Sequence, residues 1–85
     1  MQLETIVGHR GGQACYKISR EKPGVYFADL LYFEGKKKDI PPLRITLTRG
    51  IRHWTGSHND KVLLGQLGKE IEGALASSAN YTILY

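Results

Sequence analysis

Hydrophobic positions along this 85-residue chain follow two different periods. Over residues 13–20 apolar and polar side chains alternate. Ala14, Tyr16 and Ile18 fall on one face and Cys15, Lys17 and Ser19 on the other. Residues 43–49 repeat the pattern, with Leu43, Ile45 and Leu47 against Arg44, Thr46 and Thr48. Successive side chains of a strand point to opposite faces, so both segments predict half-buried strands. Between them, Val25 to Phe33 is the strongest strand of the chain. Aromatic and branched residues dominate it, and turn residues close in on both sides. Residues 3–8 predict a further short strand, ended by Gly11-Gly12. From Leu63 the period becomes helical: Leu63, Leu64, Leu67, Ile71, Ala74 and Leu75 share one face, which should pack on the sheet.

The punctuation between these runs agrees with them. Lys22-Pro23-Gly24-Val25 predicts a type II turn, because glycine accepts the positive φ that its third position requires. Glu34 to Asp39 holds Gly35 and three lysines and predicts an exposed turn whose charges guard a sheet edge. Pro41-Pro42 forces an extended connection. Gly50 to Asn59 reads as a loop, with Ser57 or Asn59 placed to cap the helix and Asp60 favoured by its dipole. Gly65, Gly68 and Gly73 each cost a helix up to about 1 kcal/mol against alanine, so packing must hold it. The same glycines let it lie close to a sheet. Ser77 to Asn80 ends the helix, and Tyr81 to Tyr85 adds either a last edge strand or a tail. The order β-β-β-β-α, with or without a final short β, predicts one α+β domain over residues 1–85. It is a two-layer sandwich: a four- or five-stranded antiparallel sheet with one C-terminal helix on one face.

A single helix covers only one face of a sheet. In the segment 25–33 strict alternation puts Val25, Phe27, Asp29, Leu31 and Phe33 on one side and Tyr26, Ala28, Leu30 and Tyr32 on the other. A solvated face should be polar, and here neither is. The uncovered face is therefore expected to meet a second subunit, a tail segment such as Tyr81–Tyr85, or a flat ligand. A homodimer would use Tyr26, Phe27, Leu31, Tyr32 and Phe33.

Charge adds a second expectation. The formal net charge is +4 and the isoelectric point about 9.4. Ten of the 12 basic residues lie in residues 1–58, and residues 43–58 contain no acid. Arg44, Arg49, Arg52, His53 and Trp54 interleave cations with a ring in that stretch, and Lys17 adds a cation on a strand. Such a set suits single-stranded DNA or RNA, with arginine on phosphate and the ring on a base. The other reading is a solvated basic surface with Trp54 anchoring the loop to the core. The β-β-β-β-α order also resembles the repeat unit of PUR and Whirly-type single-strand-binding folds. That resemblance lies in element order alone and implies paired units and a nucleic-acid partner.

Catalysis is not expected. Cys15, the only cysteine, sits in an alternating strand and reads as a packed thiol rather than a nucleophile served by His9, His53 or His58. His53 and His58 lack the one-face spacing of a helical zinc pair, so no metal is expected. Neither Gly8–Gly12 nor Thr55-Gly56-Ser57 forms a nucleotide-binding fingerprint, and no cofactor is expected. Met1 to Arg10 lacks an apolar core of signal-peptide length, and no apolar run approaches the ~18–20 residues of a membrane span. With one unpaired cysteine, these features predict a cytoplasmic protein without a membrane partner.

Overall fold

The computed structural model describes residues 2–51, 53–58 and 60–83, with side chains up to Ala76. Five strands form one antiparallel sheet in sequence order: β1 (Gln2–His9), β2 (Gly12–Lys22), β3 (Val25–Glu34), β4 (Arg44–Arg49) and β5 (Trp54–Gly56). One helix, α1 (Lys61–Ile83), follows and crosses one face of the sheet. The predicted α+β two-layer arrangement is the observed one.

Local chemistry explains the turns. Arg10 and Gly11 adopt φ of 47° and 79°, giving the two-residue β1–β2 hairpin its right-handed-twist geometry. The glycine-rich segment Gly8–Gly12 is thus a strand end and a tight turn. Pro23-Gly24 closes the β2–β3 hairpin with Gly24 at φ 81°, as the type II turn requires. After β3 the chain makes a short 3-10 turn at Lys37–Asp39.

The core lies between sheet and helix. Val7, Ala14, Tyr16, Ile18, Tyr26, Ala28, Ile45 and Leu47 meet Leu63, Leu64, Leu67 and Ile71, all buried, and Leu75 packs at their margin. This is the helix face that the spacing of leucines predicts. Tyr16 brings a hydroxyl into the core and donates it to the Pro42 carbonyl at 2.8 Å. Burial, and then the charge of Asp60, push its phenol up to about 12.

Three local features depart from the pattern. First, β5 occupies residues that read as loop. Three residues are too few for a period to emerge, and Trp54–Gly56 form a strand by pairing with Leu47–Arg49. The fifth strand is therefore not Tyr81–Tyr85. Second, α1 runs through Ser77–Asn80 to Ile83. Serine, alanine and asparagine carry only modest helix penalties, and no proline or glycine stops the chain there. Residues 84 and 85 lie outside the described residues. Third, the cap is Asp60, whose Oδ1 accepts the Leu63 N–H at 3.1 Å. Ser57 Oγ instead accepts the Thr46 N–H, and Asn59 lies outside the described residues. Gly68 is where the helix comes closest, since a Cβ there would enter the Trp54 ring.

Candidate interaction surface

The face of the sheet away from α1 is uncovered by the described residues, and register decides what it displays. Cys15 pairs with Tyr32 but Tyr16 pairs with Leu30, so Leu31 is an extra residue in β3. A bulge of this kind reverses the alternation beyond it. Tyr32 shares the open face with Cys15, while Phe33 turns to the helix side, edge-on to His9 at 6.1 Å. Strict alternation gave the reverse for both residues. The five side chains expected at one interface therefore divide between faces. Phe27, Leu31 and Tyr32 stay on the open side, Tyr26 is a core residue against Trp54, and Phe33 packs at the core margin.

Three rows cross the open face. The first joins Ile6, Cys15 and Tyr32. Ile6, Tyr32 and the bulged Leu31 are 54%, 46% and 48% exposed, which makes this an apolar patch in water. Cys15 is a free thiol buried within it. The phenol of Tyr32 is pushed up, first by Cys15 and then by lost hydration. The second row joins Glu4, Lys17, Asp29 and Arg44, one per strand, with alternating sign. Arg44 Nε and Nη2 reach Asp29 Oδ1 and Oδ2 at 2.6 and 3.1 Å. That fork holds the Asp29 carboxyl below its ordinary range. The guanidinium also lies 4.7 Å from the centre of the Phe27 ring. The third row joins Gln2, Ser19, Phe27 and Thr46.

The residues expected to contact nucleic acid do not share one place. Lys17 and Arg44 belong to the alternating row, beside acids. Arg49 and His53 are exposed on the β4–β5 hairpin, and Arg52 lies outside the described residues. Trp54 is half-buried, stacks at a tilt on Tyr26 at 5.6 Å, and donates its indole N–H to Glu72 at 3.0 Å. Its ring is committed to the core side, as the anchoring reading has it.

The fold does assemble a cationic end that the linear pattern hides. The Arg49 N–H donates to the Gly24 carbonyl at 2.8 Å, so the β2–β3 and β4–β5 turns lie side by side. Arg20, Lys22 and Arg49 are exposed there, with a fully exposed Ile51 in the turn that follows Arg49. Arg20 and Lys22 are 27 or more positions before Arg49, and it is the β3–β4 pairing, ending at Val25↔Thr48, that brings them together.

At the opposite end, His9, Arg10, Lys38, Asp39, His58 and Asp60 border a cleft. His9 Nδ1 lies 3.7 Å from Asp60 Oδ2. Among the described residues, no three His, Cys, Asp or Glu side chains gather as a metal site. No described helix is long and apolar enough to cross a membrane. The chain matches no family model, no curated protein and no solved structure.

Proposed function

We propose that the protein is a small non-enzymatic interaction module that self-associates through the open face of its sheet. The observation that carries this reading is the exposed cluster of Ile6, Leu31 and Tyr32 on a face that no described element covers. Burying such a patch gains roughly 25 cal/mol per Å² of apolar surface. A domain this small has little core of its own, so association also adds to its stability. The free Cys15 thiol fits a reducing compartment, and the cytoplasm is the location proposed with it. Sedimentation velocity tests the reading. Dimers should populate at tens of micromolar, an estimate for weak-to-moderate self-association. Leu31→Lys, an exposed substitution that leaves the core intact, should shift the chain to monomer. A concentration-independent monomer in the unsubstituted protein ends the proposal.

The cationic end supports a second reading, contact with single-stranded DNA or RNA through phosphates rather than stacked bases. Fluorescence anisotropy with a labelled oligonucleotide should show affinity falling as salt rises. Arg49→Ala should lower the salt slope by about one. Lys17→Ala, in the neutral row, should leave the slope unchanged. Absence of binding at low salt, where surface charge acts most strongly, rejects this reading.

A further inference from the structure

We infer that the partner on the open face is a second copy in one particular orientation, with a two-fold axis running along the strands between β2 and β3. This rests on the self-association reading above.

Two copies packed face to face are related by a two-fold axis lying in the plane between the sheets. That axis has two limiting directions. If it runs across the strands, each strand faces its own copy. With that axis over the charged row, Glu4 meets Glu4, Lys17 meets Lys17, Asp29 meets Asp29 and Arg44 meets Arg44, every contact repulsive; moved off the row, it sets these charges against the uncharged neighbouring rows, where they find no opposite charge. If it runs along the strands, strand order is reversed across the interface. β2 then faces the partner's β3, and β1 faces the partner's β4. Lys17 meets Asp29 and Glu4 meets Arg44, twice each by symmetry. The row alternates in sign across four adjacent strands, so only this direction makes it self-complementary.

Side-chain size points the same way. In the along-strand arrangement the small Ser19 on β2 faces Phe27 on β3, which leaves room for the ring and the Arg44 guanidinium laid on it. The other direction sets Phe27 towards the partner's Tyr32, bulk on bulk. Sheets pack with strands about 30° apart, which tilts one row against the other. Lys17 and Asp29 sit on the two strands nearest the axis. With strands ~4.8 Å apart they are displaced by little more than about 1 Å. The outer Glu4–Arg44 contacts shift further, within reach of their long side chains.

The orientation has a consequence for the rest of the molecule. An axis along the strands keeps their direction the same in both copies. Both cationic hairpin ends therefore emerge on one side of the dimer, doubling Arg20, Lys22 and Arg49. Both helices lie on the outside.

Crosslinking tests the orientation. Two variants in a Cys15→Ser background, one with Glu4→Cys and one with Arg44→Cys, are treated with a short bismaleimide, separately and mixed. The crosslinked peptide should join position 4 of one chain to position 44 of the other, and form only in the mixture. A 4-to-4 crosslink in the first variant alone, or no crosslink in a mixture that sediments as dimer, overturns the orientation while leaving self-association intact. A monomer by sedimentation removes the reading on which it rests. Charge exchange gives an independent readout. Lys17→Asp should weaken dimerisation at least tenfold, and Lys17→Asp with Asp29→Lys should restore it. Circular dichroism separates this loss from misfolding. If Lys17→Asp stays folded and dimerises as the unsubstituted chain does, lysine 17 does not face Asp29 and the orientation fails.

Discussion

Leu67→Ala should destabilise the domain by about 2–5 kcal/mol, the range for truncating a buried leucine. Leu67 is fully buried, on the face of α1 that meets the sheet, between Leu63 and Ile71, both buried as well. Removing three methyl-equivalent groups there forfeits transfer energy and leaves a cavity. The cavity cannot close readily, because Gly68 beside it already holds the helix against the Trp54 ring. Urea denaturation followed by far-ultraviolet circular dichroism gives the value. Domains of this size have only a few kcal/mol in hand, so the variant should be partly unfolded at 37 °C. A loss below about 0.5 kcal/mol, the scale of ordinary surface changes, would place Leu67 outside the core.

Trp54→Ala should cost about 3 kcal/mol, the low end of the range for large aromatic truncations because the ring is only half-buried. Three contacts are lost together: the Tyr26 ring, the close fit over Gly68, and the indole bond to Glu72. Trp54 is the only tryptophan, so unfolding of this variant is followed by circular dichroism rather than tryptophan fluorescence. Glu72→Gln keeps an acceptor for the indole and should cost much less. The pair of variants separates two roles for one residue. A ring that stacks on a nucleic-acid base would lose oligonucleotide affinity on truncation and leave stability unchanged. A ring that anchors the β5 edge to the helix does the reverse.

The interaction surface was legible in part. That one face of β3 would lack a partner follows from counting one helix against two apolar faces, and Phe27, Leu31 and Tyr32 are on the open side. Alternation alone puts Phe33 on the face of Phe27 and Leu31, and Tyr32 on the face of Tyr26 and Ala28, because a bulge adds one residue without any local signature in a run of apolar side chains. Tyr26 was grouped with the interface because a buried aromatic and an exposed one look alike in sequence. The alternating charge row was invisible for a different reason. Glu4, Lys17, Asp29 and Arg44 are 12 to 15 positions apart and become neighbours only through register.

By itself the sequence determined the order of four strands and a helix, the tight turn at Pro23-Gly24, and the helix face built on Leu63, Leu67 and Ile71. These depend on interactions within a few residues: the two-residue period of a strand, the φ that glycine permits, and the helical spacing of leucines. Tertiary structure alone decided the fifth strand, the bulge at Leu31, the placement of Trp54, and the joining of Arg20 and Lys22 to Arg49. Each of these depends on which distant backbone groups pair. Pairing is selected by the fit of the whole sheet against the helix, and no short window of the chain contains that fit.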